Sequence, residues 1–87
     1  MKWGVVIQWA TKGIEFLEKE TNGEFDSIRD RILYLLTNAY LKNHEEANSI
    51  VCLQLCSNPN AIQVQYLYVL YYIAIKNISF CLINSIL

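Results

Sequence analysis

The sequence predicts an all-α fold of antiparallel helix hairpins: four main helices, then a short C-terminal segment whose type the pattern leaves open. Three observations carry this. Apolar residues recur at spacings of three and four in three successive segments, the period of one helix face, and a fourth segment, though rich in β-formers, is apolar over a run too long for a strand. Thr21-Asn22-Gly23, Asn43-His44 and Ser57-Asn58-Pro59 punctuate those segments with residues that stop or start helices. The chain has 87 residues, 54% apolar and 17% charged. That is one small domain, too greasy for disorder and too short for a separate cofactor fold.

The first helix is expected over Lys2 to Lys19, where Trp3, Ile7, Ala10, Ile14 and Leu17 form one stripe and Val6, Trp9 and Phe16 widen it. Gly13 inside it suggests that a neighbouring helix comes close. A second helix is expected from Ser27 to Lys42. Ser27 and Asp30 fit a capping box, and Ile28, Ile32, Leu35, Leu36 and Ala39 make the stripe, extended by Tyr34, Tyr40 and Leu41. Asn43 and Glu46 repeat the capping pattern for a third helix over Glu45 to Cys56, with Ala47, Ile50, Val51 and Leu55 facing inward. Pro59 closes it, because proline disfavours helical backbone in the residue before it. Asn60 is the expected cap of a fourth helix from Ala61 to Lys76, which is apolar nearly all round. The domain is therefore read as residues 1–76, followed by a hydrophobic tail, 77–87, in which Ile78, Phe80, Leu82 and Ile86 share one parity.

Charge is unevenly placed. Fourteen of the fifteen charged residues lie between Lys2 and Glu46, and from Ala47 onward the only one is Lys76. A half so poor in charge is expected to be covered by more protein, or else by a bilayer. Tyr66 to Leu87 has the length for a membrane span, but Lys76 near its middle costs about 2.5–3.5 kcal/mol on insertion scales. Membrane anchoring through this segment is the second reading. A product without a selected role, folding marginally, is the third. The net charge of −1 gives no electrostatic reason to bind nucleic acid. No secretory signal is visible, and three cysteines without framework spacing suggest reduced thiols in an intracellular compartment.

The order of the helices has a repeat grammar. Leu33-x2-Leu36-Thr37-x2-Tyr40 resembles the first-helix pattern of a tetratricopeptide repeat, with Leu for Trp and Thr for Gly. Ala47-x3-Val51 resembles the second-helix pattern, Ala10-x3-Ile14 repeats it upstream, and Pro59 falls at the closing position. Tyr72 follows Tyr40 by 32 residues, with Tyr68 and Val69 at the offsets of Leu36 and Thr37. On this reading the chain carries the second helix of one repeat, a complete middle repeat and the opening helix of a third. It requires Ala47 to point inward and Tyr40 and Tyr72 to occupy like environments. A generic three- or four-helix bundle would carry similar stripes and is the competing architecture. Among repeat proteins the segment Ile32-Leu33-Tyr34-Leu35-Leu36-Thr37-Asn38-Ala39-Tyr40-Leu41, a Trp-bearing amphipathic helix before it and a short turn after it resemble the meiotic family of fungal sporulation-specific protein twenty-two and animal testis-expressed protein eleven. The resemblance spans Trp3 to Lys76. It implies a fragment of a long solenoid, a nuclear setting, and a scaffold for chromosome-synapsis and crossover factors. It carries no catalytic residue.

Candidate chemistry is sparse. Cys52 and Cys56 share a helix face near His44, but a metal site needs about four N or S ligands. Core thiols and a solvated turn histidine explain these residues more simply. Glu15, Glu18 and Glu20 read as a solvated face beside Lys12 and Lys19. No phosphate loop, nucleophile elbow or zinc-protease pattern occurs. The expectation is a non-enzyme with no metal or cofactor. Tyr66, Tyr68, Tyr71 and Tyr72 on the fourth helix are the candidate interface, since tyrosine joins a large apolar body to a polar tip. The expected role is protein–protein interaction, with a partner helix, an extended peptide or further repeats on the concave face, and self-association of the chain in isolation.

Overall fold

The computed structural model describes residues 2–19 and 23–86, the side chains of 78–86 excepted. Thr21, Asn22, Leu87 and the side chains of Ile78, Phe80, Cys81, Leu82 and Ile86 lie outside the described residues. The chain is all-α: α1 (Trp3–Glu18), α2 (Asp26–Lys42), α3 (Glu46–Gln54) and α4 (Ile62–Ile86). The first three follow the expected segments to within two residues at each end. The fourth does not stop at Lys76 but runs unbroken through the segment whose type the sequence left open. No charge, Gly or Pro interrupts it after Lys76, so nothing in the local chemistry ends the helix there.

The helix boundaries are made differently from the capping boxes read in the sequence. Phe25 precedes α2 and Glu45 precedes α3, and neither makes a side-chain cap. Asp30 does not reach back towards Ser27. Its carboxylate crosses to the end of α3, where it accepts the Ser57 backbone N–H at 3.1 Å and the Ser57 hydroxyl at 2.5 Å. Asn43 donates instead to the Glu45 side chain at 2.7 Å. In the turn before α4, Asn58 supplies the side-chain acceptor, taking the N–H of Asn60 at 3.1 Å. The α2–α3 turn closes as a Schellman motif: Glu45 N–H donates to the Tyr40 carbonyl at 2.8 Å and His44 N–H to that of Leu41 at 3.3 Å. His44 occupies the left-handed position of that motif, at φ 60°.

Packing makes an open row. α1 rests on α2 alone, α2 meets α1, α3 and α4, and α4 covers α2 and α3, with no contact between α1 and α4 among the described residues. A closed four-helix bundle would bring its first and last helices together. The row is thin, 18 Å in its shortest dimension, about two helices at packed interaxial distances. Its core is Ala10 and Ile14 from α1, Leu33 and Leu36 from α2, Cys52 and Leu53 from α3 with Cys56 just beyond it, and Val64 and Leu67 from α4. Gly13 faces the Ile32 side chain of α2, whose Cδ1 would sit 3.4 Å from an added Cβ, an ordinary contact that does not itself require glycine.

Both conditions that the repeat reading set in the phase read from the sequence fail. Ala47 points to solvent, as do Val51 and Leu55; the buried arc of α3 is Ser49, Cys52 and Leu53. The small-x3-large pair that packs is therefore Ser49-x3-Leu53, two residues after Ala47-x3-Val51. Ser49 tolerates full burial because its hydroxyl donates to the Glu46 carbonyl at 2.7 Å, as buried Thr37 does to Leu33 at 2.7 Å. Tyr40 is half-buried whereas Tyr72 is 63% exposed. The burial pattern of α2 recurs in α4 after 31 residues, not 32: Leu33 and Val64 are both 0% exposed, Leu36 and Leu67 both 5%, and Tyr40 and Tyr71 are both half-buried. One residue turns a helix by about 100°, so the corrected count decides which side chains α4 turns outward.

Candidate interaction surface

α4 has two apolar faces. The inner one, Val64, Leu67, Tyr68, Leu70 and Tyr71, packs on the core. Of the four tyrosines expected as an interface, Tyr68 and Tyr71 are thus partly spent on the fold, while Tyr66 and Tyr72 are exposed. Tyr72 joins two of the others: its ring stacks at 6.4 Å on Tyr68 and meets Tyr71 edge-on at 5.5 Å. Tyr68, Tyr71 and Tyr72 thus form one aromatic cluster along a flank of the helix, and Tyr66 stands apart from it.

The outer face was not singled out in the sequence. Ile62, Tyr66, Val69 and Ile73 are 83%, 62%, 56% and 52% exposed. They stand four, three and four residues apart, one straight stripe opposite the core. Counting back 31 residues, the same stripe on α2 is Arg31, Leu35, Asn38 and Lys42. There, three of four positions are polar or charged, the ordinary composition for a face that meets water. In α4 all four are apolar, and no charged residue occurs from Ala47 to Ile75. The signal was present in the sequence, but reading it requires the phase that burial supplies. A second stripe of the same length lies on α1, where Val5, Trp9 and Phe16 are exposed and the Lys12 ammonium between them sits 4.8 Å from the Trp9 ring centroid.

The sequence also singled out Cys52, Cys56 and His44. Cys52 and Cys56 are buried free thiols. Burial raises the Cys52 pKa; it also pushes Cys56 up to about 11, aided by the negative charge of Asp30 and by Cys52 and opposed by Arg29. The Cys56 thiol donates to the Cys52 carbonyl at 3.6 Å, which favours the same neutral form. A thiol held protonated is a poor nucleophile and a poor metal ligand. Burial also raises the Tyr34 phenol, with Asp30 and Cys56 adding to the shift. His44 is exposed in its turn. Among the described residues no three His, Cys, Asp or Glu side chains gather as metal ligands, and no helix is long and apolar enough to cross a membrane.

Compared with protein-family models, with curated proteins and with solved structures, the chain matches none.

Proposed function

We propose that this chain is a non-catalytic protein-interaction module of helical-repeat type, which takes a partner helix along the outer stripe of α4. The observation that carries the reading is the contrast between two stripes of one phase: Arg31-Leu35-Asn38-Lys42 on α2 against Ile62-Tyr66-Val69-Ile73 on α4. If α4 met only water, its outer face would have no reason to differ from that of α2. A straight 4-3-4 stripe suits a helix laid alongside better than an extended peptide in a groove, because side chains from a second helix interdigitate with that spacing. The open row supports a repeat-like scaffold, since its ends are not closed against each other. A nuclear, meiotic setting is an expectation carried by the family resemblance alone.

Photo-crosslinking tests this. A photoreactive residue at position 66 or 69 is expected to trap protein, either from an extract of the expressing cells or as a second copy of the chain. The same residue at position 31 or 35 is expected to trap little. Equal trapping at both helices would refute the docking face. Trapping of lipid from phosphatidylcholine vesicles, and not of protein, would favour the membrane reading instead.

A further inference from the structure

Resting on that reading of the α4 stripe, we infer that its occupant is the α4 helix of a second copy of this chain, laid antiparallel about a two-fold axis near position 71. Spacing is the first argument. Ile62, Tyr66, Val69 and Ile73 alternate four and three residues apart, the seam of a two-stranded coiled coil, and in the sequence the same count runs on through Lys76 to Phe80 and Ile83. A seam with a mean period of 3.5 residues matches another seam of the same kind, and the chain supplies one in every copy.

Lys76 decides the orientation. It is exposed, and it is the only charge on the count. In a parallel, in-register pair, Lys76 would face Lys76 of the second copy, two like charges in an apolar seam. In an antiparallel pair centred at position 71, Val69 lies opposite Ile73 of the second copy, and Tyr66 lies opposite its Lys76. An ammonium over a tyrosine face is attracted rather than repelled. The antiparallel arrangement therefore converts the single charged position from a penalty into a contact, and it repeats on both sides of the axis, as an isologous interface must.

Area and charge agree with pairing. Complete covering of the four exposed residues would bury at most on the order of 500 Å² per copy, about 1,000 Å² in the pair, so the contact stands at the lower limit of specific interfaces. A dissociation constant on the order of 1–100 μM is expected for such a contact. The net charge of −1 adds almost no long-range repulsion.

The test is sedimentation of the full chain from about 1 to 200 μM, which spans the expected constant. The wild-type chain is expected to pass from monomer to dimer. Ile73→Glu and, separately, Val69→Lys are expected to weaken dimerisation by roughly 100-fold or more with helical circular dichroism unchanged, whereas Glu15→Lys on α1, a helix that does not touch α4 among the described residues, leaves it intact. Orientation is read by disulfide trapping in a Cys81→Ser background. Val69→Cys with Ile73→Cys in one chain should give covalent dimer, and Val69→Cys alone should give little. Efficient trapping by Val69→Cys alone would overturn the antiparallel register. A folded wild-type chain still monomeric at about 200 μM would overturn self-pairing. If position 66 then still photo-crosslinks another protein, the docking reading survives with a different partner; if it traps nothing, both fall.

Discussion

The contact between Asp30 and Ser57 gives the sharpest test of how this small row holds its α2–α3 hairpin. Asp30 is buried near the start of α2, and its two carboxylate oxygens take the backbone N–H and the hydroxyl of Ser57. Its neighbour Arg29 reaches the carbonyl of Leu55 at 3.3 Å, so adjacent residues of α2 tie down the chain leaving α3. Hydrogen bonds to a charged group are worth about 1.5–3 kcal/mol each. Ser57 is itself exposed, and water can replace part of what is lost. Asp30→Ala is therefore expected to destabilise by about 2–3 kcal/mol, and Ser57→Ala, which keeps the N–H bond, by about 1 kcal/mol. In the double-mutant cycle, Ser57→Ala should cost almost nothing once Asp30 is gone, a coupling of about 1 kcal/mol. Urea unfolding followed by circular dichroism reads this directly. A second readout is electrostatic. The Cys56 pKa is pushed to about 11 by burial first and by the Asp30 charge second, so Asp30→Asn should lower it and move thiol alkylation to lower pH. A coupling under about 0.3 kcal/mol, or an alkylation profile that does not move, would refute the account.

Other expectations follow from the same geometry. Leu53→Ala should cost about 2–5 kcal/mol and Val51→Ala within about 0.5 kcal/mol by urea unfolding, because only the first is buried; the reverse order would restore the inward-facing Ala47 register. His44→Gly should stabilise by about 0.5–1 kcal/mol in thermal unfolding, since the left-handed position penalises a side chain. Gly13→Ala should stabilise by a similar amount, about 0.5–1 kcal/mol, because the added Cβ meets Ile32 at ordinary contact distance inside a helix that gains propensity. Stability should fall at alkaline pH: Cys52, Cys56 and Tyr34 all have raised pKa values in the fold, so the unfolded chain loses its protons first. The part due to Cys56 is complete below about pH 8.5, the ordinary thiol value. It declines above that and is gone once pH passes about 11. Cys56→Ala should flatten that decline in urea midpoints measured across the range.

Much of the fold was legible because helices announce themselves locally. Trp3, Ile7, Ala10, Ile14 and Leu17 recur at helical spacing, and all five are half-buried or buried in α1. The motif positions Leu33, Leu36, Thr37 and Tyr40 all turn inward in α2. Gly23, at φ 71°, stands in the expected break. The third helix was less legible. It is short, and large apolar residues lie on both of its sides. Ser49 did not read as core, because the partner that satisfies its hydroxyl, the Glu46 carbonyl, exists only once the helix has formed.

By itself the sequence determined that four helices form, roughly where they break, and that the half after Glu46 carries almost no charge; period and local turn chemistry act within a few residues and need no tertiary partner. Only the tertiary structure decided which arc of α3 faces the core, that the burial pattern of α2 returns in α4 after 31 residues, and that the row stays open. Where a helix is apolar all round, its own sequence does not choose a direction. The neighbours and the short turns that tether them choose it, and in α4 that choice leaves Ile62, Tyr66, Val69 and Ile73 on the outside.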